Sequence, residues 1–154
     1  MSEGNKALLA LMGSALLFGC SARAGPSLMS GLLAKKPVCL AADWGADSPP
    51  TFFGSQAPDT LLLLAGRAGA LSNKSGPESH LAVAITRQNR DKGWIWWIQQ
   101  DTLWISSQSP TMDNVLVQAI TPGDRTLATW RGTGMSAYQH GQVVLHRFEC
   151  RETP

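Results

Sequence analysis

The sequence predicts a mainly β protein, a small antiparallel β-sandwich or barrel of about seven or eight strands with one packed helix as an option. Three observations carry that expectation. Short apolar or alternating runs recur at intervals of roughly 8 to 14 residues, and Gly, Pro, Asn, Asp and Ser separate them. Charged residues are 16% and hydrophobic residues 44% of the 154, a balance too apolar for a disordered chain and too sparsely charged for a coiled coil. The formal net charge of +2 is scattered, so no basic stripe points to nucleic acid.

In chain order, strands are predicted at Val38–Trp44, Leu81–Gln88, Gly93–Gln99, Leu103–Gln108, Asn114–Ile120, Arg125–Arg131 and Gln142–Cys150. Within Asn114–Ile120, Val115, Val117 and Ala119 alternate with Asn114, Leu116 and Gln118, so one face is the more apolar. In the last run Val143 and Leu145 share a face that Cys150 does not, which predicts a bulge or a shorter strand. Asp101-Thr102 and Thr121-Pro122-Gly123-Asp124 read as hairpin turns. The segment Asp59–Ser72, DTLLLLAGRAGALS, fits either a helix capped by Asp59 or a buried strand ending at Gly66: its leucines favour the helix and its internal glycines oppose it. Residues 45–59 and 72–80 are loops.

Ahead of the first strand, Ala7–Phe18 is a run of twelve uncharged residues, too short for the ~20 a spanning helix needs and within the ~7 to 15 of a secretory signal. It ends in Leu16-Leu17-Phe18-Gly19-Cys20, which resembles the lipobox of bacterial lipoproteins. That resemblance covers this segment alone. It implies cleavage before Cys20, acylation of Cys20 (palmitate among the acyl groups) and a membrane anchor. Ser21 lacks the acidic charge that resembles an inner-membrane retention signal, so the outer membrane, facing the periplasm, is the expected location. Ala22-Arg23-Ala24 supplies a competing site for ordinary signal peptidase, and with it a secreted or periplasmic product. The expected organisation is a signal peptide over 1–19, a lipidated cysteine and tether over 20–36, and a single β-rich domain over 37–154. Within the tether, Leu28, Met29, Leu32 and Leu33 fit one stripe of a short helix, with a partly ordered linker as the alternative.

Three cysteines are an odd number for an oxidising compartment. Either cleavage takes Cys20 out of the count, which leaves Cys39 and Cys150 as the expected disulfide near the two ends of the mature domain.

Chemistry-bearing motifs are scarce. GxSxG, HExxH, GxxxxGK and CxxC do not occur. Gly132-Thr133-Gly134-Met135-Ser136-Ala137 has the letters of a dinucleotide-binding turn, but too little chain follows to complete a βαβ unit. Lys74-Ser75-Gly76 has the letters of a penicillin-binding element without its partner motifs. His140 and His146 lie ~20 Å apart along one strand at ~3.3 Å per residue, and His80 starts another, so no metal site and no cofactor are expected. Tryptophan is the unusual feature. Gly93-Trp94-Ile95-Trp96-Trp97-Ile98 sets Trp94, Trp96 and Ile98 on one face and Ile95 and Trp97 on the other, with Trp104 in the next strand. Core packing is the first reading of these rings, with Trp97 expected in the core. The alternative makes Trp94, Trp96 and Trp104 an exposed platform for a glycan, an acyl chain or a protein.

The functional expectation is a non-enzymatic envelope lipoprotein that supports or docks into a larger assembly of secretion, pilus or conjugation type, with the membrane and an envelope protein as partners. The alternatives are a periplasmic ligand-binding or inhibitor module using the tryptophan face, and a small envelope hydrolase built on His80, His140 or His146 with an acid.

Overall fold

The computed structural model describes residues 27–45, 57–67, 78–107, 114–133 and 138–151. The expected signal, Cys20, the Ala22-Arg23-Ala24 site and Lys74-Ser75-Gly76 lie outside them, as does most of the Gly132–Ala137 turn.

One helix precedes eight strands: α1 (Leu28–Leu33), β1 (Val38–Asp43), β2 (Thr60–Arg67), β3 (His80–Ile85), β4 (Arg90–Gln99), β5 (Thr102–Ser107), β6 (Asn114–Ile120), β7 (Arg125–Thr133) and β8 (Tyr138–Phe148). Every strand pairs antiparallel with its chain neighbours, and β8 pairs with β1, so the meander closes into a barrel with no free edge. The Asp59–Ser72 ambiguity resolves as strand β2, because closure supplies ladder partners on both sides that a lone leucine-rich helix would forgo. In β8 the pairing with β1 runs without interruption from Val144 to Phe148 and the strand ends there, so Cys150 lies beyond it and the shorter-strand reading is the right one.

Alternate residues turn inward. Val38, Leu40, Leu61, Leu63, Leu103, Ile105, Val115, Val117, Val143 and Leu145 are buried together and make the core. The β4–β5 hairpin turns on Gln100 and Asp101, both at positive φ (50° and 58°), the two-residue type I′ geometry that matches strand twist; the turn thus sits one residue before the Asp101-Thr102 expected. Between β6 and β7, buried Thr126 Oγ1 accepts from the Gly123 N–H at 2.7 Å and lies 3.0 Å from the Gly123 carbonyl, to which its hydroxyl donates.

Because directions alternate, one end of the barrel gathers the start of β1, the ends of β2, β4, β6 and β8, and α1. We call it the base, and the opposite end distal. The base is stoppered by α1, whose Leu28 and Leu32 join the core. Ser27 caps the helix through its side chain, which accepts from the Ser30 N–H at 3.3 Å. The Leu28 N–H donates to Asp124 Oδ1 at 3.1 Å, tying the helix to the β6–β7 turn. The folded body therefore reaches back to Ser27 and does not start at 37, since two of the residues assigned to the tether are core residues. The distal end is filled by rings instead: Trp44 and Trp130 meet edge to face at 6.1 Å, and Trp44 Nε1 donates to the Pro58 carbonyl at 2.7 Å. The Cys39–Cys150 disulfide is formed, at the base, across a sequence separation of 111.

Candidate functional site

Strand β4 decides what the tryptophans can do. Trp94 and Trp96 point into the barrel and are 4% and 2% exposed, so these two platform candidates are core residues. Each indole N–H is satisfied at an irregularity of the ladder. The register shift between β3 and β4 falls at Lys92 and Gly93, and beside it the Asp91 carboxylate accepts from the Gly93 N–H at 2.7 Å and from Trp94 Nε1 at 3.1 Å. The shift between β2 and β3 releases the Leu64 carbonyl, which accepts from Trp96 Nε1 at 2.8 Å.

Trp97, expected in the core, is on the outside and partly exposed. Parity explains the correction. A strand apolar on both faces does not declare which one is inward, and the larger inward set of Trp94, Trp96 and Ile98 took the barrel interior. Trp104, the third platform candidate, is opposite Trp97 in the β4–β5 ladder, and the two rings stack parallel with centroids 6.0 Å apart and planes 3° off. Trp104 Nε1 is buried and has no hydrogen-bond acceptor.

Pairing extends this feature round the wall. Trp97, Trp104, Gln118, Thr129 and Gln142 form one outer row, and Leu81, Ile95, Ser106, Leu116, Arg131 and His140 form the next. Where the two rows cross β6 to β8, Leu116, Gln118, Thr129, Arg131 and His140, with Trp130, line an outer groove of about 260 Å³. It offers an apolar floor, an amide, a hydroxyl, a guanidinium and an imidazole, and among the described residues no carboxylate lines it. Such a set can hold a polar or anionic group against an apolar contact.

The three histidines do not converge. His80 is inside the barrel, stacked on Trp96 with centroids 4.5 Å apart and its Nδ1 buried without a partner. His140 and His146 are outside, opposite Arg131 and Arg125 respectively, at different heights on β8. Among the described residues no three His, Cys, Asp or Glu side chains are placed to hold a metal ion.

Of the residues that form this outer surface, sequence reasoning singled out Trp104 and His140 and missed Trp97 as an outward ring, along with Leu116, Gln118, Thr129 and Arg131. Only the strand register brings them side by side, and no local motif encodes it.

The fold and this surface define a class, the closed eight-stranded up-and-down antiparallel barrel with a ring-filled interior. Comparison with known proteins adds no relative to it: no family model, no curated protein and no solved structure matches the chain.

Proposed function

We propose that the protein is a non-enzymatic, envelope-held lipoprotein that docks a protein partner through the outer wall of its barrel. The observation that carries this reading is the filled interior. Trp44, Trp94, Trp96 and Trp130 occupy the space in which a barrel of this size could hold a small ligand, which points recognition to the exterior, where, among the described residues, β6 to β8 carry a groove. Anchoring at Cys20 and an outer-membrane location facing the periplasm belong to the same proposal, supported by the Leu16–Cys20 segment and by a disulfide that suits an oxidising compartment. Metabolic palmitate labelling of wild type against Cys20→Ala tests the anchor. Equal labelling, or a mature N-terminus at Gly25, refutes it.

Docking is tested by crosslinking in cells followed by mass spectrometry of the partners, comparing wild type with Arg131→Glu combined with Gln118→Ala. Loss of one defined protein partner in the double variant is expected. Recovery of the same partners at the same yield by both forms overturns the groove as the docking site. A second reading, a ligand-binding or inhibitor module, rests on the Trp97–Trp104 stack, a rigid aromatic surface of the kind that glycans and acyl chains bind.

A further inference from the structure

The large hydrophobic residues exposed on the outer wall gather at one end of the barrel. Among the described residues, the large hydrophobics that are exposed are Leu33, Leu81, Ile120, Leu127 and Phe148. All five belong to the base. Leu33 ends α1, Ile120 and Phe148 end β6 and β8, Leu81 is the second residue of β3, and Leu127 is the third of β7. Partly exposed Trp97 joins them, two residues before the basal end of β4. The two ladders about β7 gather part of the set: Leu127 is opposite Val144, and continuing the β6–β7 register sets it opposite Ile120. Leu33 is the most exposed at 67%, and Lys35 and Lys36, both exposed, follow it after Ala34. Exposed charges occur at both ends, Arg87, Arg90, Asp91 and Lys92 on the distal β3–β4 hairpin and Asp101, Asp124, Arg125, Glu149 and Arg151 at the base, so it is the exposed apolar side chains that set the base apart.

The chain itself identifies what such an end faces. The segment that leads back to Cys20 and the apolar run joins the barrel at Ser27, which is on the base. Six residues separate Cys20 from Ser27, so even fully extended at ~3.3 to 3.6 Å per residue the tether holds the base within about 25 Å of an acyl chain on Cys20. We infer that the base is a membrane-seating surface: Leu33, Leu81, Trp97, Ile120, Leu127 and Phe148 enter the headgroup and upper acyl region of a phospholipid bilayer, while Lys35 and Lys36 meet its phosphates. An indole at the rim and lysines whose stems lie along apolar surface are the groups that suit that boundary. This rests on the tethered reading above and adds orientation to it, since seating the base turns the distal end toward the periplasm.

The test separates the surface from the anchor. All eight strands, α1 and the disulfide lie within residues 27–151, so the chain from Ser27 to Pro154, which lacks both Cys20 and the apolar run, is mixed with sucrose-loaded vesicles of phosphatidylethanolamine and phosphatidylglycerol and sedimented. It is expected to co-sediment, and Leu33→Ser with Ile120→Ser is expected to lower the partition coefficient about tenfold or more, since each apolar side chain removed forfeits its transfer from water. Arg87→Ser with Arg90→Ser, at the distal rim, is expected to leave partition unchanged, and near-ultraviolet circular dichroism checks that each variant is folded. Failure of the Ser27–Pro154 chain to sediment with vesicles overturns the seating surface even if Cys20 proves to be acylated. Equal partition of the basal and distal variants overturns it as well. Vesicle binding that depends on the basal residues upholds it even if palmitate labelling of Cys20 fails.

Discussion

The two ends of the barrel close by different means. At the base a six-residue helix supplies two leucines, and the closure is held by contacts distant in sequence: Leu28 to Asp124, Arg147 to the Asp124 carbonyl, and Cys39 to Cys150. At the distal end the plug comes from the strands themselves, as Trp130 packs on Trp44 and lies over Gly141, where there is no Cβ to displace it. The base is a lid fastened from outside the sheet, and the distal end is a core grown large enough to need none. A lid can loosen without the barrel opening, whereas loss of a distal ring leaves a hole inside the barrel.

The largest effect should come from the fastening at the base. Cys39→Ser or Cys150→Ser opens a loop of more than one hundred residues and is expected to cost about 4.7 kcal/mol, read as a lower urea midpoint that matches wild type measured under reductant. Trp130→Ala should follow at about 3 to 5 kcal/mol, with Leu28→Ala at about 2 to 5. Calorimetry sharpens the comparison, because Trp130→Ala should lower a single transition while Leu28→Ala should add a low-temperature shoulder as the lid frays. A single sharp transition in both would merge the two ends into one cooperative unit. Gly141→Ala is expected to cost about 1 to 3 kcal/mol, since its Cβ would fall 2.7 Å from Trp130 Nε1 and force the ring aside; near-ultraviolet circular dichroism reports that movement. Asp124→Ala is the smallest, at about 1 kcal/mol. It removes the acceptor of the Leu28 N–H and a 3.6 Å ion pair with Arg147 in which the carboxylate side chain is mostly in water, and amide exchange should quicken across α1 while the strands keep their protection.

These differences track what was legible in the sequence. The strands were, because alternation such as Val115, Val117 and Ala119 is a local record of a sheet with one buried face. The disulfide was, because counting cysteines requires no geometry. Less was visible where the answer depended on a neighbour. Thr60–Arg67 is a strand because β1 and β3 complete its ladder, and Trp97 faces outward because the interior filled with the other face of β4. Leu28 and Leu32 were assigned to a tether because a six-residue helix has no stability of its own and becomes structure only against the open end of a barrel. The outer groove was invisible, since Leu116 and His140 come from strands two apart and β7 stands between them.

The bridge at the base also has a mechanical consequence. A load applied to the chain at Ser27 travels through α1 into β1, which is held by β2 on one side and β8 on the other. Pulled along its length, β1 would have to break both ladders together, in shear, and cannot peel away one bond at a time. The Cys39–Cys150 bond transfers that load to the far end of the chain after only the short stretch from Ser27 to Cys39. Tension on the chain ahead of Ser27 would therefore straighten the lid and leave the barrel wall with its outer groove intact, with the helix acting as a strain relief for the sheet.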